Sequence, residues 1–223
     1  MKMLQVGGHP FYYRESFGDK LIVRENLGPT NQYHREVPLL PNDIVLDLGA
    51  HIGAYTVYAA GRVAQVISVE PEPSNFRVLT RNTKHLENVR IVNAAGVGGT
   101  GGSKTTLYVN GRAGGNSGAN SLDLTRGRRK IQVHAVPFTG LSAGVTVIKC
   151  DIEGGEYDLL DEFADLPKTM RLVAMELHFH RRPIWRFELA PRLVSSLETQ
   201  FSTIRPIVWP KGALFSKVGV WGR

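Results

Sequence analysis

The sequence predicts a doubly wound α/β domain, and three observations carry that prediction. From Asp43 onward, short apolar runs alternate with stretches of helical spacing, the signature of a parallel sheet with crossover helices. The first run, Ile44 to Leu48, passes through an acid into a glycine turn, Gly49 to Gly53, and the second, Gln65 to Val69, ends on Glu70. Acids and glycines at the carboxyl ends of neighbouring strands mark the place where open α/β sheets hold ligands.

The elements follow in order. After the first turn, Ala54 to Val63 places Tyr55, Tyr58 and Ala59 on one helical face. Pro71, Glu72 and Pro73 open a second helix, on which Phe76, Leu79, Thr83 and Leu86 recur at helical spacing. Val89 to Val92 is the third strand. The regularity then breaks: β-like runs at Thr105 to Val109 and Ile131 to Val136 flank a stretch rich in glycine, serine, asparagine and arginine, which reads as an inserted hairpin spanning about 97–137 with a long loop. That loop, Gly111 to Arg128, is expected to be a substrate lid, with plain disorder as the alternative.

The pattern resumes with strand Val145 to Cys150, helix Glu156 to Phe163 and strand Leu172 to Leu177, which runs into His178. A last helix, Phe187 to Gln200, precedes Ile204 to Val208 and Ala213 to Val220, expected to form an antiparallel edge pair. Seven strands of the main sheet are thus expected, mostly parallel. Residues 1–42 carry the weakest periodicity, with Pro38 and Pro41 breaking any helix, and read as a cap or lead-in segment to the domain 43–223.

At 223 residues the chain suffices for one such domain with a full core. Its 42% hydrophobic and 21% charged residues exclude the disordered and membrane-embedded classes, and no uncharged apolar run reaches a membrane span. With no run of signal-peptide character at the start, the expected location is the cytoplasm. The single cysteine, Cys150, lies in an apolar strand and reads as a small buried hydrophobe. A net charge of +7 favours polyanions, with the densest basic stretches at Arg126 to Lys130 and His180 to Arg182, although a solvated surface explains them equally.

The motif Val45-Leu46-Asp47-Leu48-Gly49-Ala50-His51-Ile52-Gly53 decides between two cofactor classes. A dinucleotide site needs G-x-G-x-x-G to bring helix amides to a pyrophosphate. This chain has G-x-x-x-G with Asp47 two residues before the first glycine, a charge that repels pyrophosphate and suits a cofactor bearing an ammonium and a sulfonium. S-adenosylmethionine is therefore expected, with Gly49 and Gly53 letting the backbone approach it and Glu70 accepting hydrogen bonds from its ribose hydroxyls.

At the fourth and fifth strands, Lys149, Asp151, Glu153 and Glu156 fall within eight residues, and Glu176 and His178 follow. A helix dipole attracting acids is one explanation, strongest for Glu156; service to a substrate is the other. Asp151 is the first candidate to take or position an acceptor's proton, His178 the second, and Lys149 could acidify an acceptor hydroxyl or neutralise Asp151. Alternation along the strand puts Glu176 and His178 on one side, so that with Asp151 they make a candidate divalent-metal site. Hydrogen bonding to loop backbone is the competing explanation.

The stretches DLGAHIGAYTVYAA, VISVEPEPSNFRVLTRN, VIKCDIEGGEYDLL and AMELHFH, covering roughly Val45 to His180, resemble the FkbM family of methyltransferases. The resemblance implies a Rossmann-like class I methyltransferase fold, S-adenosylmethionine as donor and a hydroxyl of a small metabolite or sugar as acceptor. It carries cofactor roles onto Asp47, Gly49, Ala50, Gly53 and Glu70, and places Asn75, Asn93 and Ala94 where such enzymes meet the adenine. Glu153, Asn120 and Ser121 are expected to touch the acceptor, and Arg126 to Arg129 any anionic group on it. Two other readings stand beside this one: an RNA methyltransferase, on the basic charge, and a non-catalytic binding protein of the same fold.

Overall fold

A computed structural model describes residues 1–15, 17–28, 31–109, 129–178, 184–206 and 216–223. The N-terminal hairpin β1 (Lys2–Val6) and β2 (His9–Tyr13) leads into helix α1 (Phe17–Leu27). The main domain then runs β3 (Ile44–Leu48), α2 (Ala54–Ala60), β4 (Gln65–Val69), α3 (Pro73–Thr83) and β5 (Val89–Val92). The insert holds β6 (Ala95–Val97), β7 (Lys104–Val109) and β8 (Arg129–Pro137), and the short α4 (Phe138–Leu141) follows. Strand β9 (Val147–Cys150), a 3-10 helix (Gly155–Leu159), α5 (Leu160–Ala164), β10 (Leu172–His178), α6 (Ile184–Glu198), β11 (Ser202–Arg205) and β12 (Ser216–Gly222) complete the chain.

Seven strands form one sheet in the order β11-β12-β10-β9-β3-β4-β5. The β3, β4, β5, β9 and β10 neighbours pair parallel, and β12 runs antiparallel to both β10 and β11. The order reverses at β3 and β9, which opens a crevice at their carboxyl ends, as doubly wound sheets do. The strands are apolar almost throughout because both faces are covered. Leu46, Leu48, Ile148, Cys150, Val173, Met175 and Leu177 enter the core on one face with Trp221 and Phe163. Val45, Val147, Leu172 and Ala174 enter that on the other, with Tyr33 and Tyr55.

Helix α3 starts where the sequence provides for it. Pro73 sits in the first turn of α3, and the Glu72 side chain caps it by accepting the Asn75 N–H at 2.7 Å. Asn82, on the buried face of α3, donates to the carbonyls of Tyr12 and Ile52 and accepts the Tyr12 N–H, so one amide docks the N-terminal hairpin to the turn after β3.

Several expected boundaries shift. Helix α2 stops at Ala60 with Gly61 at its C-cap, and the Glu156 to Phe163 stretch begins as a tighter 3-10 turn before becoming α-helical. The inserted hairpin β7/β8 is present, and β6 joins it by pairing parallel with β8, giving a three-stranded sheet. Residues 1–42, expected to be a cap or lead-in segment, contain the hairpin β1/β2 and the 11-residue α1, which ends well before Pro38. Residues 111–128, with Asn120, Ser121 and Arg126 to Arg128, lie outside the described residues, as do Arg181 and Arg182. Among the described residues, no helix is long and apolar enough to cross a membrane.

Candidate active site

Two turns face each other at the carboxyl ends of β3 and β9. In the first, the N–H groups of Gly49 and Ala50 both donate to the Val69 carbonyl at 3.0 Å, tying the turn to β4. Gly49 has φ +77°, and a Cβ there would stand 1.8 Å from the carbonyl oxygen of Asp151. Gly53 has φ +88°, and its Cβ would meet Leu79 at 2.7 Å. Both glycines are thus required by packing, Gly49 by the neighbouring turn and Gly53 by α3. Among the described residues only two non-glycine residues have positive φ, His51 (53°) and Glu153 (55°), one in each turn. Such conformations cost of order 1 kcal/mol and gather at functional sites.

Asp47 and Lys149 lie side by side in register on β3 and β9. Asp47 is fully buried; one oxygen accepts the Thr56 hydroxyl at 2.7 Å and the other stands 3.2 Å from Lys149 Nζ. Lys149 is 3% exposed and donates to the carbonyls of Gly49 at 2.9 Å and Leu48 at 3.3 Å. The charge of Asp47 raises the pKa of Lys149 against its desolvation, so the ammonium persists. Lys149, expected beside the acceptor, thus turns inward and serves the frame of the first turn. It reaches Asp151 only at 4.0 Å, and Asp47 spends its charge on this lysine.

Glu70 is buried at the end of β4 and accepts the backbone N–H groups of His51 and Glu72, both at 2.9 Å, and the Asn75 amide at 3.3 Å. Burial pushes its carboxyl up to about 7 against those donors. Asn75 also accepts Arg14 Nη2 at 2.7 Å, while Asn93 donates to the carbonyls of Glu70 and Pro71. Both asparagines therefore hold the Glu70 loop, with Ala94 buried behind it. Arg14 is itself clamped to buried Asp19 of α1, so the N-terminal segment forms part of this wall.

The second turn gathers acids. Asp151 Oδ1 lies 3.7 Å and Glu153 Oε2 3.4 Å from His178 Nε2. Fully buried Glu156 takes the other ring nitrogen at 3.1 Å, the His178 N–H at 2.7 Å and the Gly154 N–H at 2.8 Å. The dipole explanation offered for Glu156 yields to this: it positions His178. The Tyr33 hydroxyl stands 3.1 Å from Asp151 Oδ2 and 3.3 Å from Glu176 Oε2. Glu176, expected beside Asp151 and His178 as a third metal ligand, instead lies behind Tyr33, and Glu153 takes its place: ligand atoms of Asp151, Glu153 and His178 all lie within 4.8 Å of one another. Glu25 of α1 joins the group, its carboxyl pushed up to about 7 by burial and then by Glu176 and Asp151. Burial and neighbouring acids likewise raise Glu153 to about 8, whereas the acids around His178 hold its imidazole well above its usual range despite burial.

Sequence reasoning missed Arg14, Asp19, Glu25 and Tyr33. No local signal could have found them, since Tyr33 meets Asp151 across 118 residues and Arg14 meets Asn75 across 61.

The sheet order, the antiparallel β12 and the paired turns at the switch point define a class I, Rossmann-like methyltransferase architecture. The model of the methyltransferase FkbM domain matches residues 47–210, and the chain belongs to the FkbM methyltransferase family, which uses S-adenosylmethionine. Among solved structures it is similar to methyltransferase FkbM from Methylobacillus flagellatus KT, with 16% identity and TM-score 0.52 over 86% of this chain and 46% of that one. The chain therefore spans about half the length of that relative. It also shares its fold with Aeropyrum pernix fibrillarin, a structure holding natively bound S-adenosyl-L-methionine, with 12% identity and TM-score 0.50 over 99% and 81% of the two chains. Among curated proteins none matches the chain.

Proposed function

We propose that the chain moves the methyl group of S-adenosylmethionine to a hydroxyl of a small or sugar-like molecule, with the cofactor against the first turn and the acceptor at the second. The observation that carries this reading is the placement of Asp151. Its carbonyl packs on Gly49 of the first turn, while its 25%-exposed carboxylate faces the crevice beside His178. On the cofactor side, Glu70 accepts the ribose hydroxyls, and Ala50, Gly53, Asn75, Asn93 and Ala94 shape the surrounding wall.

Methyl transfer is an in-line displacement. The acceptor oxygen bonds to the methyl carbon as the carbon–sulfur bond breaks, leaving a neutral thioether, and the hydroxyl proton must leave. Asp151 takes or positions that proton, held in place by Tyr33, and His178 supports it from the other side. Glu153 lines the acceptor side with its 22%-exposed carboxylate.

The basic net charge favours the second reading, RNA as acceptor. The acceptor side opposes it, because the carboxyl groups of Glu25, Asp151, Glu153, Glu156 and Glu176 converge there, and those of them that are ionised repel a phosphate. A neutral polyhydroxylated acceptor fits that surface better than an anionic one.

Methyl-labelled S-adenosylmethionine offered with a panel of sugars and small hydroxylated metabolites tests the proposal. Asp151→Asn should slow transfer by about 100-fold or more while leaving cofactor affinity within about threefold. Equal loss of both would move Asp151 to the cofactor, and label appearing in RNA alone would favour the second reading.

A further inference from the structure

We propose that a second cavity, away from the crevice at the switch point, binds a small organic anion, a flat ring carrying a phosphate. The cavity, of about 630 Å³, lies where the hairpin turn between β1 and β2, the end of α1, the second half of α2 and the residues after α3 meet. That volume falls among those of small-molecule sites. Tyr33, between the lining residues Asn31 and His34, takes no part in the lining and reaches Asp151 instead, so the cavity is separate from the crevice.

The lining is basic. Arg35, Arg62, His9 and His85 belong to it, and no carboxylate is found among its described residues. Glu36, next to Arg35 in the chain, is held by Arg205, and neither Arg35 nor Arg62 makes an ion pair with any described residue. Arg62 is nonetheless fixed: it donates to the Tyr58 carbonyl at 2.6 Å, and its guanidinium carbon stands 4.0 Å from the centre of the Tyr58 ring. A guanidinium carries five N–H donors, so others remain for a ligand oxygen. Burial lowers the pKa of His85, and the charges of His9 and Lys84 lower it further, so its surroundings are positive. His34, also in the lining, is held neutral by burial and adds no charge.

The remaining lining suits a ring. The imidazoles of His9 and His85 stack with centroids 4.0 Å apart and planes 22° apart, and Tyr58 adds a third flat surface. Val6, Leu27, Val57 and Leu86 supply apolar wall. Gly7 and Gly61 keep the space open, since a Cβ on either would meet nothing within 4 Å. Apolar and aromatic walls with a few convergent polar groups are the usual build of a small-ligand site. Two arginines select an oxyanion, which they bind through paired N–H donors, and the rings select a flat body. Binding here is independent of the methyltransferase reading, because no lining residue belongs to either turn of the crevice.

Phenyl phosphate titrated calorimetrically into the purified chain, with S-adenosylhomocysteine present to fill the crevice, tests the cavity. One equivalent should bind, about tenfold or more weaker in Arg35→Gln and in Arg62→Gln, and inorganic phosphate and phenol should each bind about tenfold or more weaker than the joined molecule. Both arginines are exposed, so the variants should fold; circular dichroism and an S-adenosylmethionine affinity within about threefold of the parent check this. Absence of binding, unchanged affinity in both variants, or binding seen only without S-adenosylhomocysteine overturns the site. An oligoribonucleotide held more tightly than phenyl phosphate, with a steep loss as salt rises, overturns the small-ligand assignment in favour of RNA. Phenyl phosphate bound at these arginines by a chain that takes up no S-adenosylmethionine would keep the cavity and refute the methyltransferase. Uptake of S-adenosylmethionine alone would do the reverse.

Discussion

The two turns at the switch point are close in space and opposite in construction. The first, after β3, is held largely by its own groups: Asp47 has the Thr56 hydroxyl on one oxygen and faces the Lys149 ammonium, without a hydrogen bond, on the other, Glu70 has two backbone donors, and the glycines pack against Asp151 and Leu79. The second, after β9, gathers Asp151, Glu153 and Glu156 around His178 and leaves the carboxylates of Asp151 and Glu153 partly exposed. The difference teaches that two turns can share one backbone contact, Gly49 against the Asp151 carbonyl, while one is a buried frame and the other presents carboxylates to solvent.

The strongest way to break this comparison is at Lys149. Removing it leaves Asp47 buried without a counter-charge, so Lys149→Ala should cost about 3–5 kcal/mol in denaturant unfolding. Asp151→Asn, at a partly exposed carboxylate, should change stability by less than about 1 kcal/mol. Comparable losses in the two variants would erase the distinction between frame and reacting wall.

Acid tests the frame next. His34 is buried beneath Tyr55; its ring stands 2.7 Å from the Tyr55 hydroxyl and 3.1 Å from the Val37 carbonyl, and burial holds its pKa at about 4. The unfolded chain, with an ordinary histidine near 6.5, binds the proton more readily, so stability is fully present above pH 6.5 and drains away as pH falls from there through about 4. Over that window His34 accounts for roughly 3 kcal/mol. His34→Gln should reduce the pH dependence of thermal unfolding, the remainder including buried His51, whose pKa burial also holds at about 4, and an unchanged profile would show that the His34 ring is not buried neutral.

Glu70 sharpens the cofactor side. Glu70→Ala should weaken S-adenosylmethionine by about tenfold, or about 1.4 kcal/mol, by calorimetry. Because its carboxyl rests near 7 and the ribose hydroxyls need the ionised form, affinity should rise between pH 6 and 8 and become flat in Glu70→Gln. The smallest effect belongs to Tyr33→Phe, which removes one hydrogen bond from Asp151. It should lower turnover by about fivefold, near 1 kcal/mol, and leave cofactor affinity unchanged.

By itself, the sequence determined the alternation of strands and helices, the acid and glycines after β3, the acid ending β4 and the cluster after β9. These are local patterns, set by side-chain periodicity and by the few residues that a tight turn accepts, and they sufficed for the fold class and the family. Only the tertiary structure decided what each charge touches. It turned Lys149 inward because its strand register faces Asp47, exchanged Glu176 for Glu153 because Tyr33 stands between Glu176 and Asp151, and brought Arg14, Asp19 and Glu25 to the site from a segment without periodicity. The physical reason is distance along the chain: an ion pair or a hydrogen bond between residues 60 to 140 positions apart leaves no spacing to read, and it exists only once packing has closed the loop between them.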